Sequence, residues 1–219
     1  MRWLNRLAYR YGKYAIKNIM SYIAGGMALV YILDYVFAMT GRLEYGTLQS
    51  LLYFNRELIF QGQVWRIITF LFIPSSSNVI FLIFAIMFYY MLGQGLEQEW
   101  GAPQLNLYLL IGYLGTLVGG FIMGYTTATY LYLSLFFAFA IYFPDFMIRI
   151  FYIIPVKIKY LAILDAILFI WSLITSTWYV KIAILISIAN LILFFYKQAW
   201  DRIKLEYVHI KSKIKYNRK

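Results

Sequence analysis

Two carboxylates lie inside long apolar runs of this sequence, Asp34 and Asp165. A carboxyl group in hydrocarbon is costly, so such a residue is a functional candidate by default. We expect Asp34 near the outer end of its run, where water is in reach, and Asp165 deeper and without an obvious partner. A structural hydrogen bond to a tyrosine or to the backbone is the favoured explanation for both. A proton relay or a substrate contact is the alternative.

The usual metal ligands and thiol nucleophiles are nearly missing from the chain. It contains no cysteine, and its single histidine, His209, lies in a basic tail. Neither a disulfide framework nor a thiolate metal site is therefore possible. We expect no metal and no cofactor.

Composition places the chain in a membrane. Of its 219 residues, 63% are hydrophobic and 13% are charged, whereas a soluble domain carries about a quarter charged residues. So much apolar surface cannot be buried in a core of this size, and lipid must cover it.

The apolar runs are continuous, which favours helices over alternating barrel strands, and each helix needs about 20 residues to cross the bilayer. We predict an all-α polytopic protein with spans near 19–39, 78–98, 103–124, 128–144, 158–176 and 179–197.

The basic residues predict the orientation. Of the 20 Lys and Arg, five precede residue 18 and eight lie from Lys197 onward. The predicted outer connections carry only Arg42, Arg56, Arg66 and Lys181. Because cytoplasmic loops are enriched in Lys and Arg, both termini are predicted to lie in the cytoplasm. The chain divides into a basic amphipathic N-terminus (1–18), a membrane domain (19–197) and a basic cytoplasmic tail (198–219).

The formal charge of +11 raises nucleic-acid binding as a hypothesis. The charges cluster beside the predicted spans, where anionic lipid attracts them, so we expect membrane lipid and no nucleic acid as the partner. The first apolar run is too long for a signal-peptide core, and we expect no cleaved signal. High Ile, Tyr, Lys and Phe content without Cys suggests a multi-pass protein of a bacterial cell membrane.

Two predicted connections are more than turns. Residues 40–77 form a long outer segment whose parts 47–54 and 64–74 are strongly apolar. Such a segment is expected to lie in the membrane interface. The stretch 145–157 is also apolar with scattered charge, and we expect it along the inner surface, ended by Pro155.

Two segments of the chain carry motifs. The first is YMLGQGLEQEWGAPQLNLYLLIGYLG (90–115), in which Leu92, Gly93, Leu96, Glu97 and Gly101 form an LGxxLExxxG pattern. The second is QVWRIITFLF (63–72), with Trp65, Arg66 and Thr69. The first resembles the pattern that closes the second span in the rhomboid family of intramembrane serine proteases, and the second resembles the Trp-Arg motif of the rhomboid external loop. The resemblance covers roughly residues 20–197. It implies a six-helix bundle with a membrane-embedded loop between helices one and two.

The side chains of these motifs suit a scaffold. Glu97 can remain charged at a helix end or cap backbone N–H groups of the next turn. Gly93 and Gly101 permit close approach or a tight turn. The planar guanidinium of Arg66 can satisfy several loop carbonyls, and Trp65 can bury its ring while its N–H stays at the interface.

The same resemblance shows what catalysis would need and lack. Ser134 matches the rhomboid nucleophile, but Tyr132 and Leu135 stand where the GxSG glycines would be, and the sixth span, 181–196, contains no histidine. A serine without a base is a poor nucleophile. Lys181 could replace the base in principle, although a lysine flanking a span usually snorkels. The H-x4-H-x3-N positions that help to hold the oxyanion fall on Ser76, Phe81 and Ala85, and Phe and Ala cannot donate.

Small residues recur where the predicted helices could approach one another. They are Ser134 and Ala138 on span four, Ala183 and Ser187 on span six, and Gly112, Gly115, Gly119 and Gly120 on span three. A retained scaffold without a dyad predicts a pseudoprotease similar to Derlins and inactive rhomboids, which bind transmembrane client proteins in trafficking or quality control. The alternatives are an active rhomboid protease using Ser134 and, third, a small-solute transporter.

Overall fold

The computed structural model describes residues 10, 12–73, 78–150 and 154–195. Nearly all regular structure there is helical. In chain order the helices are α1 (Ile19–Met39), α2 (Thr47–Leu52), α3 (Arg56–Phe60), α4 (Arg66–Thr69), α5 (Val79–Trp100), α6 (Ala102–Met123), α7 (Thr129–Tyr142), α8 (Ile158–Thr175) and α9 (Trp178–Phe195). Short 3-10 turns cover Gly12–Tyr14 and Phe70–Phe72.

Five helices are long and apolar enough to cross a membrane: α1, α5, α6, α8 and α9. Their bounds agree with the predicted spans to within two residues wherever the structure describes the end. The span predicted at 128–144 corresponds to α7, which has only 14 residues. At 1.5 Å per residue it is about 21 Å long, shorter than a hydrocarbon core of about 30 Å. The all-α polytopic prediction is confirmed, and among the described residues five of the six predicted spans are helices long enough to cross a membrane.

The short helix α7 lies at the centre of the core. Its buried side chains pack against α5 and α6, and α1 packs on the outer side of α5. The central buried residues are Leu92, Leu96, Leu105, Tyr108, Leu135, Ala138 and Phe139. Pro144 explains why α7 ends at Tyr142, because the residue before a proline is disfavoured in helical conformation.

The segment between α1 and α5, called the outer segment after its predicted side of the membrane, is tied to the bundle by a short antiparallel pair. Strand β1 (Phe54–Asn55) pairs with strand β2 (Tyr125–Thr126), which joins α6 to α7. Phe54 is buried and packs edge-to-face on Phe70 and Phe121, with ring centroids 5.8 and 5.3 Å apart. The predicted long loop is therefore a packed substructure of short helices.

The connection between α7 and α8 is a β-hairpin, which corrects the prediction that it is ended by Pro155. Strands β3 (Met147–Ile150) and β4 (Ile154–Lys157) are antiparallel, and Pro155 pairs opposite Arg149 inside the hairpin. A proline is tolerated there because each strand of a two-stranded sheet is an edge strand. Asp145 precedes the hairpin and accepts hydrogen bonds from Lys157 and Lys159, with N···O distances of 3.1 and 2.8 Å.

Candidate functional site

Ser134 lies buried in the middle of the bundle, with 1% of its surface exposed. Its hydroxyl donates to the carbonyl oxygen of Leu131 in its own helix at 2.8 Å. It accepts a hydrogen bond from the Tyr108 hydroxyl of α6 at 3.0 Å. Both bonds are buried, so the hydroxyl hydrogen points to a backbone carbonyl, which cannot act as a general base.

Ser134 does not line the cavity that lies beside the outer segment. This cavity, of about 190 Å³, lies between that segment and the start of α7. Tyr132 lines it instead and donates its hydroxyl to the Leu71 carbonyl oxygen at 2.6 Å. The Tyr132 ring also packs on Tyr89 of α5 with centroids 4.8 Å apart. This tyrosine therefore joins α7 to the outer segment and to α5.

A polar cluster that sequence reasoning missed lies beside Ser134, where α6, α7 and α9 meet. A cavity of only about 10 Å³ is lined there by the polar residues Thr116, Ser134, Ser187 and Asn190. Thr116 and Ser187 donate to backbone carbonyl oxygens, those of Gly112 and Tyr130. Both amide atoms of Asn190 are buried without a hydrogen-bond partner in the described part of the chain. The available signal was an asparagine within an otherwise apolar sixth span.

The small faces on the helices do mediate packing. Ser187 of α9 donates to the Tyr130 carbonyl oxygen of α7 at 2.8 Å, so the helices at the fourth and sixth predicted spans are in contact. On α6, a Cβ added to Gly112 would meet Leu131 and Asn190, and one added to Gly115 or Gly119 would meet Ile186 of α9. Gly120 lies against Phe54 and Thr126. The glycines therefore let α6 approach three different neighbours.

The other catalytic positions do not assemble around Ser134. Phe81 is 55% exposed near the start of α5, and Ala85 follows one turn later and is partly exposed. Lys181 lies nine residues before Asn190, so it is about 13 Å away along α9. Ser76 and His209 lie outside the described residues. Within the described part of the chain, no three His, Asp or Glu side chains are placed to hold a metal ion.

The Trp-Arg motif caps the C-terminal end of α2. Trp65 Nε1 donates to the Leu51 carbonyl oxygen at 3.2 Å, and Thr69 Oγ1 donates to that of Leu52 at 3.0 Å. Arg66 Nη1 donates to the carbonyl oxygens of Ser50 and Tyr53, at 2.9 and 2.8 Å. One turn of helix thereby satisfies four consecutive carbonyls that α2 leaves unpaired at its end.

The prediction that Arg66 satisfies several loop carbonyls is confirmed, and its guanidinium is buried with Nε bonded to Gln63 at 2.7 Å. Burial lowers the pKa of this guanidinium from its usual value. The prediction for Trp65 is partly wrong. Its indole ring is 49% exposed, while its N–H is the part held by the protein. The ring lies on the outside of the segment because its N–H must reach the end of α2.

Asp34 caps the other end of the same short helix. Its carboxylate accepts from the backbone N–H groups of Gly46 and Leu48, at 2.8 and 3.0 Å, and from Gln49 Nε2 at 3.0 Å. The start of a helix offers unpaired N–H groups and a partial positive charge, which a carboxylate satisfies. Asp34 is only 1% exposed, so the prediction that water reaches it is wrong. The predicted structural hydrogen bond to the backbone is confirmed.

Glu97 also caps a helix, but not the predicted one. Both carboxylate oxygens accept from the backbone N–H of Asn18, at 2.9 Å each, at the start of α1. Gln94, one turn earlier on α5, donates to the Asn18 side chain at 3.0 Å. Asn18 is held in a left-handed conformation (φ 52°), which turns its N–H towards α5. The sequence allows Glu97 either to stay charged at a helix end or to cap the next turn, and the tertiary fold brings the start of α1 to it instead.

The two motif glycines behave as predicted. A Cβ on Gly93 would overlap the side chain of Met20, so this glycine allows α1 to approach α5 closely. Gly101 has φ +78° and forms the turn between α5 and α6, a conformation that favours glycine. Pro103 follows in the first turn of α6, where its missing N–H is harmless.

Asp165 differs from Asp34 because it has no hydrogen bond or ion pair to another described residue. It lies near the middle of α8, the least buried of the five long apolar helices. Phe169, one turn further on the same face, packs on Tyr130 and Phe137 of α7 with ring centroids 6.0 and 5.7 Å apart. The half-buried carboxyl of Asp165 therefore lies beside the contact between α7 and α8, which we call the α7–α8 seam.

Comparison with protein families identifies the class of the chain. The family described as "Eukaryotic integral membrane protein (DUF1751)" matches residues 22–204. The chain belongs to this family. The match begins inside α1 and includes all the later helices, so membrane integration holds for the whole bundle. No curated protein and no solved structure matches the chain. The eukaryotic description conflicts with the predicted bacterial source, which rested on composition alone.

Proposed function

We propose that this integral membrane protein is a rhomboid-like pseudoprotease that binds transmembrane segments of client proteins without cleaving them. The contacts of Arg66, Glu97 and Gly93 support a rhomboid-like scaffold, because Arg66 holds the segment between α1 and α5 together, and Glu97 and Gly93 join α5 to the distant start of α1. In this proposal α7 counts as the fourth of six spans, and it is shorter than the other five.

The surroundings of Ser134 support binding without cleavage. A serine nucleophile needs a base that takes its proton, and another group to orient that base. Here the proton is directed to the Leu131 carbonyl oxygen, and the partner on the other side is the Tyr108 hydroxyl, which donates. A tyrosine that donates its proton to the serine cannot remove the serine proton at the same time. Ser134 therefore serves the packing of α6 on α7.

The observation that carries client binding is the carboxyl of Asp165, which has no partner among the described residues and lies on a helix that is mostly exposed. An acidic group at membrane depth needs a donor, and none of the donors on α8 is bonded to it. Large apolar side chains surround it on the outer surface of α8, among them Leu164 and Leu168. A transmembrane helix with one hydrogen-bond donor near its middle would pack on these side chains and satisfy the carboxyl.

The absence of cysteine allows a clean crosslinking test. A photo-crosslinker is placed at Leu168 beside the seam or, as a control, at the equally apolar and exposed Val118 on α6. The probes are two single-span polyleucine helices, one with a central lysine and one without. We expect the lysine helix to crosslink from Leu168 only, intact, and to lose this crosslink in Asp165→Leu. Equal crosslinking of both helices from both positions would contradict the proposal.

Two alternatives have their own tests. An active protease predicts labelling of Ser134 by a fluorophosphonate probe that disappears in Ser134→Ala, with an active rhomboid labelled in parallel. We expect no labelling. A small-solute transporter would require a polar path through the bundle, and it predicts solute flux in liposomes that disappears in Asp165→Asn. We expect no flux above empty liposomes.

The orientation with both termini in the cytoplasm is part of this proposal. Trp100 packs on Tyr142 with ring centroids 5.6 Å apart, so the α5–α6 turn and the end of α7 lie at one end of the bundle. Lys17 near Glu97 and Lys157 in the hairpin lie at this same end, which fits the cytoplasmic enrichment of basic residues. Single cysteines at exposed Lys17 and Arg42 should react with an impermeant maleimide from opposite sides of the membrane.

A further inference from the structure

A groove of about 470 Å³ runs along the bundle between α6 and the segment that leads into α1. One wall is formed by Tyr14, Ile16 and Ile19, and the other by Leu107, Leu110 and Tyr113. It extends from Pro103 to Tyr113, ten residues of α6, which is about 15 Å of helix. The groove is thus long and narrow, and it begins at the end of the bundle where Lys13 and Lys17 lie.

The wall of this groove is apolar because its polar groups are bonded elsewhere. Asn106 accepts from the Ile16 N–H at 3.0 Å and donates to the Ile16 carbonyl oxygen at 2.8 Å. Tyr113 donates its hydroxyl to the Ile67 carbonyl oxygen at 3.1 Å. An occupant would find mainly hydrocarbon along the groove, since the Asn106 amide and the Tyr113 hydroxyl are already bonded. That selects a flexible apolar chain over a polar solute.

The mouth of the groove is basic. Lys13 Nζ lies 4.8 Å from the ring centroid of Tyr14, which is itself a wall residue. Arg10 and Lys17 are close in the chain, and all three are exposed. None of them has an ion pair with a described residue, since the ion pairs found join Lys157 and Lys159 to Asp145. The nearby Glu97 carboxylate is occupied by the N–H of Asn18.

We infer that this groove binds one anionic phospholipid, with an acyl chain between α1 and α6 and the headgroup phosphate on Lys13 and Lys17. The apolar wall matches the chain, and the free basic side chains at its mouth match the headgroup. The inference is independent of client binding, because Asp165 and the α7–α8 seam take no part in it.

Native mass spectrometry of delipidated protein tests whether the site prefers an anionic headgroup. The two lipids are phosphatidylglycerol and phosphatidylcholine with identical acyl chains. At about 1 kcal/mol per basic residue near anionic lipid, two lysines should favour phosphatidylglycerol about thirtyfold. Lys13→Gln/Lys17→Gln should remove this preference, whereas Arg42→Gln/Lys181→Gln removes the same charge at the opposite end and should leave it unchanged. Equal binding of both lipids by the unaltered protein would overturn the inference.

The groove itself is tested by filling it. Leu110→Trp places a larger side chain in the groove. The control is Leu114→Trp, one turn further on α6 and outside the groove. The two leucines are equally exposed, at 51% and 50%. Leu110→Trp should weaken binding of both lipids and Leu114→Trp should not. Ala15→Leu fills the same groove from the exposed leading segment and should act like Leu110→Trp even if the latter fails to fold. Unchanged binding in Ala15→Leu, or displacement of the lipid by a polyleucine helix, would overturn the inference.

Discussion

The short helix α2 should depend on side chains from elsewhere in the chain, and Arg66→Met tests this most directly. A six-residue helix is too short to be stable by itself. Here Asp34 satisfies its N-terminal N–H groups, and Trp65, Arg66 and Thr69 satisfy its C-terminal carbonyls. Methionine keeps much of the apolar length of arginine but has no donor. The substitution therefore isolates the hydrogen bonds.

The expected loss follows from the groups left unpaired. Arg66→Met removes the donors to the Ser50 and Tyr53 carbonyl oxygens. Each buried acceptor without a partner costs about 1–3 kcal/mol, so the free energy of unfolding should fall by roughly 2–6 kcal/mol. The lower value applies where water or a neighbouring N–H reaches the freed carbonyl. Gln63, which is half-buried, also loses a partner.

Unfolding by SDS in mixed micelles, followed by far-UV circular dichroism, measures this loss. Arg42→Met is the matched control, because Arg42 is an exposed arginine of the same outer segment. It should change stability by less than about 0.5 kcal/mol. If the two substitutions have equal effects, Arg66 does not hold α2 as the hydrogen bonds indicate.

A double-mutant cycle with Asp34→Asn sharpens the test. Asparagine removes the charge and presents an NH₂ group to donors such as the Gly46 N–H and Gln49 Nε2, so it should release the N-terminal end of α2. Once one end of α2 is released, the short helix is weakened, so the cap at its other end contributes less to stability. The double substitution should therefore cost less than the sum of the single ones, with a coupling of about 0.5–3 kcal/mol. Strict additivity would mean that the two caps act on separate structures.

Three further predictions concern other parts of the bundle. Gly93→Ala should destabilise the protein in the same SDS titration, because the added Cβ would overlap Met20. In the control Gly25→Ala in α1, the added Cβ meets nothing within 4 Å, so this substitution should be neutral or stabilising by up to about 1 kcal/mol. Asn190→Leu removes an amide whose two polar atoms are buried and have no partner among the described residues. It should therefore raise the thermal midpoint in detergent, by an amount that corresponds to about 1–3 kcal/mol of unfolding free energy. A lower midpoint would show that the amide has a partner. Hydrogen bonds from Lys159 and then Lys157 lower the pKa of Asp145, so the stability from this contact is present above about pH 4 and is lost as pH falls through the lowered pKa. In Lys159→Met, the carboxyl ¹³C titration of Asp145 should move to a higher pH, and an unmoved midpoint would contradict the contact.

The amino-acid sequence determined the membrane character of the protein and the positions of its long helices. Transfer of an apolar run into hydrocarbon depends on the sum of its own residues, so no knowledge of the neighbours was needed. The turn at Gly101 and the donor capacity of Arg66 could be predicted for a similar reason. A glycine readily adopts positive φ, which suits a turn. A side chain with five donors in an apolar segment must bond to nearby carbonyl oxygens.

Only the tertiary structure decided which groups meet. Glu97 caps the helix that begins 79 residues before it, and Asp34 caps α2 across a turn, where the sequence suggested water. Asn190 and Ser134 lie on helices separated by the hairpin and α8, and their proximity could not be predicted from either run. Hydrogen bonds depend on distances of about 3 Å between atoms that the chain brings together by folding. The apolar pattern fixes which residues enter the membrane, but not which faces of the helices turn towards one another.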